Sequence, residues 1–274
     1  IMDYGTRFLG KSAVLAKDTP AFIGNRIGIF CIQSLFHQMK PMGLTVEEVD
    51  KLTGPVMGRP KSATFRTVDV VGLDTLVHVA KGLHENCPDD ERRDRFVLPD
   101  FIQKMMAEQW LGSKSGQGFY KKIKDKDGTS EIQVLDLDTM TYRSKKKVSF
   151  ATLEKTKAVE RVADRFPILI SGTDKAAQFY RAVLGETFAY VQYRIPEISD
   201  ALYQIDEAMK AGFGWEHGPF ELWDAVGLKE GIALIKEAGH QVAPWIETLA
   251  ATGATSFYQL NENKPHYYNT VSYT

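Results

Sequence analysis

The spacing of apolar residues near the start of the chain predicts one long helix. Apolar side chains recur on one helical face, at Ile23, Ile27 and Phe30. The residues before them favour the start of a helix, since a side-chain oxygen can cap the first turn and proline leaves no amide hydrogen unpaired: Asp18, Thr19 and Pro20. Pro41 and Gly43 interrupt the pattern. We therefore predict a helix from Pro20 to about Lys40.

A second face of this helix combines small residues with one amide: Ala21, Gly24, Asn25 and Gly28. These residues are too small to fill a core by themselves, so something else must approach them closely. In one interpretation a second helix packs against the glycines and Asn25 satisfies a backbone group. In the other interpretation the Asn25 amide serves a ligand. The spacing by itself favours packing.

Most of the remaining chain also shows helical periodicity. A capping box at 45–48 and apolar repeats predict further helices, over 65–80, after Pro99 and from about Thr152 onward. Two places favour strands instead. Residues 131–136 and 140–143 predict the arms of a hairpin, and residues 13–16 predict a short strand.

One sequence block occurs twice in the chain. Residues 65–73 and 220–228 share the pattern F-x-x-x-D-x-V-G-L at an offset of 155 residues (220 − 65). An apolar residue followed by Asp precedes each block, at Asp50 and at Asp206. So large an offset indicates two duplicated helical domains and not an array of short repeats. The shared Asp can cap a helix and the shared Gly can end one.

Composition excludes several classes of function. The chain has 34 Lys and Arg against 35 Asp and Glu without a strong block of either sign, so it carries no electrostatic footprint for nucleic acid. It has neither an apolar run long enough for a membrane span nor a signal peptide at its first residues. The only cysteines, Cys31 and Cys87, form no disulfide framework and fit a reducing, cytoplasmic compartment. The six histidines lack metal-ligand spacing, and we expect no metal site.

Three motifs in register resemble a known family. Their sequences are K-D-T-P-A-F-I-G-N-R-I at 17–27, D-V-V-G-L-D at 69–74 and K-S-G-Q-G-F-Y at 114–120. In order and spacing they resemble the C-terminal region of 3-hydroxyacyl-CoA dehydrogenases. The second copy, with G-F-G-W at 212–215 and G-P-F-E-L at 218–222, is similar to the duplicated domain of the multifunctional enzymes of fatty-acid β-oxidation. In those enzymes the dehydrogenase is commonly fused to an enoyl-CoA hydratase.

The resemblance implies a mainly α fold made of two duplicated helical domains of the 6-phosphogluconate-dehydrogenase C-terminal-like type, with a small β-hairpin in the linker. It implies four segments along the chain. They are an exit strand of a missing Rossmann domain (1–18), the first helical domain (19–121), a linker with hairpin and helix (122–180) and the second copy (181–274). The sequence thus resembles the helical part of a larger polypeptide.

The resemblance also implies two site residues. Asn25 matches the family's active-site Asn, whose amide can donate to the substrate oxygen or hold the catalytic His. Lys114 matches a Lys that reaches the bound NAD as a cation, although NAD is bound mainly by the missing N-terminal domain. Ala21 departs from the family's usual Gly.

The implied activity is NAD-dependent oxidation of 3-hydroxyacyl-CoA to 3-oxoacyl-CoA. The expected partners are the acyl-CoA substrate and the Rossmann and hydratase domains of the same polypeptide, and we expect the two copies to pair as an internal pseudo-dimer. The fragment alone is expected to be inactive. Two alternatives stay open: a noncatalytic helical packing module, and the C-terminal domain of another NAD-dependent hydroxy-acid dehydrogenase. The duplicated G-P-F block speaks against the second alternative.

Overall fold

The structure is a computed structural model that describes residues 1–124, 127–261 and 264–269. It is mainly helical, as predicted. The chain divides into two compact units: Ile1–Gly28 with Lys155–Thr274, which we call the terminal unit, and Ile29–Glu154, which we call the middle unit. The domain boundaries drawn from the sequence stay a prediction.

The helices and strands follow one another in a simple order. The first half of the described chain contains α1 (Met2–Arg7), α2 (Gly24–Met39), α3 (Val46–Thr53), α4 (Phe65–Val71), α5 (Leu73–Asn86), α6 (Asp100–Ala107), β1 (Tyr120–Lys124), β2 (Ser130–Asp136) and β3 (Thr141–Ser144). The second half contains α7 (Ala151–Thr156), α8 (Phe166–Ser171), α9 (Lys175–Val191), α10 (Leu202–Phe213), α11 (Pro219–Val226), α12 (Leu228–Glu237), α13 (Pro244–Ala251), β4 (Tyr258–Asn261) and β5 (Lys264–Tyr267).

The predicted hairpin is confirmed and gains a third strand. β2 pairs antiparallel with β3 and also with β1, which makes a three-stranded sheet in the order β1-β2-β3. Val134 and Leu135 of β2 are buried, whereas β1 reads Y-K-K-I-K. The three lysines of β1 hide the alternation that identifies a strand in sequence.

The N-terminal segment differs from its prediction. Residues 13–16 form no strand, and the nearest regular element is the helix α1. A strand is stable only when its backbone groups pair with a neighbouring strand, and none of the described strands pairs with these residues. The expected exit strand within 1–18 is therefore not seen.

The long helix begins four residues later than predicted. α2 starts at Gly24 and ends at Met39, so the predicted end is confirmed and the predicted start at Pro20 is wrong. Ala21 and Phe22 have φ angles of 64° and 50°, in the left-handed region that a right-handed helix cannot contain. Residues 18–23 instead form a turn that leads into α2, and we call 18–25 the Asn25 turn.

The duplicated block builds the same local structure twice. In the middle unit Asp50 accepts hydrogen bonds from the amide of Phe65 (2.6 Å) at the start of α4 and from the hydroxyl of Tyr120 (2.7 Å). In the terminal unit Asp206 accepts from the amide of Phe220 (2.9 Å) in the first turn of α11 and from the hydroxyl of Tyr258 (2.6 Å). Each carboxylate therefore caps a helix and ties it to a tyrosine.

A second carboxylate completes each copy. Asp69 accepts from the backbone amides of Phe119 and Tyr120, both at 2.8 Å. Asp224 accepts in the same way from the amides of Phe257 and Tyr258, at 2.8 and 3.0 Å. The shared glycines, Gly72 and Gly227, end α4 and α11 with the same φ of 105°. We call each set of two Asp and one Tyr a carboxylate clasp.

Candidate functional site

The predicted site residue Asn25 lies in the first turn of α2. Its side chain is exposed, and within the described residues its amide has no hydrogen-bond partner. An Asn that served only to satisfy a buried backbone group would be buried and bonded. The packing interpretation therefore does not account for Asn25, whose amide is available to a ligand.

The glycines of the same stripe do serve packing. A methyl group added to Gly28 would lie closer than 3.0 Å to three ring carbons of Phe213, at the end of α10. A methyl group on Gly24 would lie 3.7 Å from the same ring. Ala21 is not part of a helical stripe, because it belongs to the turn before α2. Its positive φ gives a backbone reason for Gly at this position.

A cluster of charged residues, in which both arginines are buried and Glu197 is exposed, adjoins Asn25. The side chain of Arg26 is fully buried, and its Nε donates to the hydroxyl of Tyr190 at 2.6 Å. Its Nη2 donates to Glu197 at 2.8 Å. Arg194, only 2% exposed, pairs with the other oxygen of Glu197 at 2.6 Å, and its guanidinium lies over the Tyr190 ring at 4.4 Å. Such a cluster fixes the side chains that it joins, because a buried guanidinium is costly without its partners.

The other end of the turn is tied to the same part of the chain. The backbone amide of Lys17 donates to the carbonyl of Ile198 at 3.1 Å. The ammonium group of Lys17 donates to the carbonyl of Pro196 and pairs with Asp200, both at 2.5 Å. Residues 194–200 thus hold the turn from both sides.

The predicted cofactor residue Lys114 lies in the middle unit, in the short 3-10 helix Ser113–Ser115. Its half-exposed ammonium group forms an ion pair with Asp74 in the first turn of α5. The hydrogen bond from Lys114 lowers the pKa of the Asp74 carboxyl. Lys114 is therefore accessible to solvent, but its charge is already paired with Asp74. Asn25 and Lys114 belong to different units.

The rest of the K-S-G-Q-G-F-Y motif has a structural role. A methyl group on Gly118 would lie closer than 3.0 Å to the carboxylate of Asp69, which must reach the amides of Phe119 and Tyr120. Gly116 has a φ of 81°, which other residues rarely adopt. The motif is therefore needed for the clasp as well as for any role of Lys114.

Among the described acids, those of the clasps have the most strongly raised pKa values, but their surroundings are structural. Burial raises the pKa of Asp50 to about 6 against the opposing effect of its hydrogen bonds, and it raises the pKa of Asp206 to about 8 in the same way. Both acids cap helices and bond tyrosines, so their perturbation does not mark a catalytic site. The sequence signal for the clasp is a second repeat, F-Y at 119–120 and 257–258, whose offset of 138 residues (257 − 119) differs from the 155 of the first repeat.

Two further properties limit the kinds of functional site that the described part of the chain can contain. No group of three or more His, Cys, Asp or Glu side chains is arranged there to hold a metal ion. None of the described helices is both long and apolar enough to cross a membrane.

A family model matches both copies of the duplicated block. It is the model of the C-terminal domain of 3-hydroxyacyl-CoA dehydrogenase, and it matches residues 22–122 and 181–258. The chain belongs to this family. The match includes the Asn25 turn from its fifth residue onward, Lys114 and the two clasps.

Curated relatives support the same family. A Bacillus subtilis protein named "Probable 3-hydroxyacyl-CoA dehydrogenase" is 41% identical over 98% of this chain and 34% of its own length. A fatty acid oxidation complex subunit alpha from Psychrobacter arcticus is 28% identical over 91% of this chain and 32% of its own length. The chain therefore spans about a third of the length of these relatives.

A solved structure supports the fold. The 3-hydroxybutyryl-CoA dehydrogenase from Escherichia coli matches 89% of this chain and 62% of its own chain with a TM-score of 0.53. At 16% identity this likeness concerns the fold alone.

Proposed function

We propose that this chain is the helical part of an NAD-dependent 3-hydroxyacyl-CoA dehydrogenase, which oxidises 3-hydroxyacyl-CoA to 3-oxoacyl-CoA in fatty-acid β-oxidation. Membership of the family supports the reaction class. One observation supports a catalytic role for Asn25. Its amide is exposed and, among the described residues, unbonded, and it lies on a turn that the bonds of the buried Arg26 hold in place. An amide in this state can donate to an oxygen whose charge changes during the reaction.

We infer that the described residues do not form a dinucleotide site of their own. Lys114 is the cation that the resemblance assigns to NAD, and it is half-exposed and paired with Asp74. The segment 212–218 loosely matches a dinucleotide fingerprint, but it begins in the last turn of α10 and no strand directly precedes it, and Trp215 within it is buried. NAD, when bound, accepts the hydride. We propose that a dinucleotide-binding domain of the same polypeptide holds NAD, and that Lys114 contributes a cation at the edge of that binding site.

The remaining partners follow from the same proposal. A hydratase domain in the parent polypeptide and the pairing of the two copies stay predictions; the share of the relatives' length that this chain spans supports further domains. A cytoplasmic location also stays a prediction of this proposal.

The test of this function is Asn25→Ala in a polypeptide that contains this chain and its dinucleotide-binding domain. Loss of a donor to the reacting oxygen should cost about 2–4 kcal/mol at the transition state, which lowers kcat by a factor on the order of 10² to 10³. The free energy of unfolding should change by less than about 0.5 kcal/mol, because the side chain is exposed and makes no bond. Formation of NADH from 3-hydroxybutyryl-CoA and urea denaturation measure the two quantities.

Asn86→Ala is the matched control. Asn86 is also exposed, at the end of α5, and its amide donates to the carbonyl of Gly82 at 2.8 Å. Its replacement should leave kcat unchanged. Near-normal turnover of Asn25→Ala would show that Asn25 has no catalytic role and would favour the alternative of a noncatalytic packing module.

The chain by itself gives a second test. Calorimetry with NAD should show no binding in the micromolar range, because a single lysine cannot replace the glycine loop at a helix N-terminus. Clear micromolar binding would contradict the assignment of NAD to another domain.

A further inference from the structure

We propose that Tyr190, Arg194 and Glu197, together with Lys17, are positioning residues that hold the Asn25 turn in its reactive geometry. This inference rests on the proposed function of Asn25. It assigns to the second copy of the domain, which supplies three of these residues, a part in the site of the first copy. All of the residues lie in the terminal unit, as does Asn25.

The turn needs external support because its own backbone is strained. Ala21 and Phe22 both adopt left-handed φ angles, which cost roughly 1 kcal/mol or more for a residue with a Cβ atom. Two such residues in succession persist only when surrounding contacts favour them. A turn that relaxed toward ordinary angles would rotate the first residues of α2 and carry the Asn25 amide with them.

The support on the helix side comes through Arg26, the residue next to Asn25. Its guanidinium is fully buried and is bonded to the Tyr190 hydroxyl and to Glu197. Because Glu197 also pairs with the buried Arg194, its carboxylate is held between two cations. Arg26 therefore cannot shift along the helix axis without breaking its buried hydrogen bond to Tyr190, which water does not replace, and its ion pair with Glu197.

The support on the other side comes through Lys17 and α10. Lys17 is bonded through both its backbone amide and its ammonium group to residues 196–200. The ring of Phe213 fills the space above Gly28 and approaches Gly24. The turn is thus held before its first residue, at Arg26 and along the glycine face of α2, while the amide of Asn25 is left to solvent.

The test is a double-mutant cycle between Tyr190→Phe and Asn25→Ala in the intact dehydrogenase polypeptide. Loss of the hydroxyl removes one of the bonds that hold Arg26 and leaves the ring in place. If it acts by displacing Asn25, kcat should fall about ten- to 100-fold, since small displacements of a positioned group have effects of this size. KM should stay within about twofold. In the Asn25→Ala background Tyr190→Phe should cause no further loss, because the amide that it positions is absent.

Tyr258→Phe is the matched control. It removes a hydroxyl that makes a bond of the same length, 2.6 Å, to Asp206 in the same unit. It should change stability as Tyr190→Phe does and leave kcat unchanged. Lys17→Met is a second, milder variant, because that side chain is 40% exposed. It should lower kcat without preventing folding, and it too should have no effect in the Asn25→Ala background.

The possible outcomes separate this inference from the proposed function. Equal losses of kcat from Tyr190→Phe with and without Asn25 would overturn the positioning role while leaving the proposed function intact. If Asn25→Ala itself left kcat unchanged, the proposed function would fail. Hydrogen exchange of the backbone amides of residues 19–25 would then decide: faster exchange in Tyr190→Phe than in Tyr258→Phe supports the bracing of the turn, and equal exchange overturns it.

Discussion

Two glycines six residues apart should respond in opposite directions to the same added methyl group. Gly212 lies in the last turn of α10, and a Cβ atom there would meet nothing within 4 Å. Gly218 precedes α11 and is buried, and a Cβ atom there would lie closer than 3.0 Å to the Cα, Cβ and Oδ1 atoms of Asp206. The φ of Gly218 is −74°, so its substitution tests the close approach and not a strained backbone angle.

The size of the effect follows from the clasp. To make room for a methyl group, Asp206 and the start of α11 must move apart, which breaks the hydrogen bonds to Asp206 from the amides of Phe220 (2.9 Å) and Glu221 (3.1 Å). Because burial raises the pKa of Asp206 to about 8, its carboxyl is mostly neutral at pH 7, where each bond contributes about 0.5–1.5 kcal/mol, so Gly218→Ala should lower the free energy of unfolding by about 1–3 kcal/mol. Gly212→Ala should raise it by up to about 1 kcal/mol, because alanine favours a helix more than glycine does.

The assay is denaturation by urea followed by tryptophan fluorescence. Trp215, Trp223 and Trp245 lie in the terminal unit, and Trp110 lies in the middle unit, so the signal is dominated by the unit that carries both substitutions. Trp223 is fully buried and its ring stacks on Phe188 at 4.8 Å, which makes its emission sensitive to unfolding. Equal midpoints for Gly218→Ala and Gly212→Ala would refute the close contact between Gly218 and Asp206.

Two further substitutions test the backbone and the electrostatics of the chain. Ala21→Gly should raise the melting temperature by relieving a φ of 64°, with a gain of up to about 1 kcal/mol, and a lowered melting temperature would contradict the left-handed angle. Arg143→Met should cost about 3 kcal/mol, because it leaves the buried carboxylate of Glu47 without its partner at 2.6 Å. Burial raises the pKa of Glu47, but the hydrogen bond from Arg143 and the other donors outweigh it and the pKa lies below the ordinary value of 4.5. The pair therefore stabilises the fold above about pH 4.5 and is lost as the pH falls further, so Arg143→Met should be less sensitive to acid than the wild type in urea titrations between pH 3 and 6.

Local patterns predicted the elements whose causes are local. The capping box at Thr45 forms as its sequence indicates, with Glu48 bonded back to the Thr45 amide at 2.8 Å. The repeated F-x-x-x-D-x-V-G-L block predicted the helix-ending Gly correctly, because the end of a helix is decided within a few residues. The Asp of the block does not cap a helix: Asp69 and Asp224 accept from the amides of residues 119–120 and 257–258, and the caps of α4 and α11 come from Asp50 and Asp206, 14 or 15 residues before the amides that they bind. The hairpin arms 131–136 and 140–143 were also predicted correctly, because the two strands are close together in the sequence.

The predictions that were wrong concern places where contacts between residues far apart in the sequence decide the local structure. The residues Asp18, Thr19 and Pro20 favour a turn as readily as a helix start, and the bonds that hold the turn come from Tyr190 and Glu197, 164 and 171 residues away from Arg26 in the sequence. The sequence alone also could not show that Asn25 is exposed while its neighbour Arg26 is fully buried. The resemblance suggested a role for Asn25, but only the structure shows that its amide is exposed and has no hydrogen-bond partner among residues 1–124, 127–261 and 264–269.

The two copies share their packing and differ in their chemistry. Each copy keeps a clasp of two Asp and one Tyr, so the duplicated sequence preserves what folds the domain. The cation of the K-S-G-Q-G-F-Y motif is not duplicated, since the residues before the second F-Y are T-G-A-T-S. In place of a second site, the second copy provides the residues that brace Arg26 and Lys17. If the bracing is what selection retained, a substitution at Tyr190 should affect turnover through Asn25, and one at Tyr258 should affect only the stability of the fold.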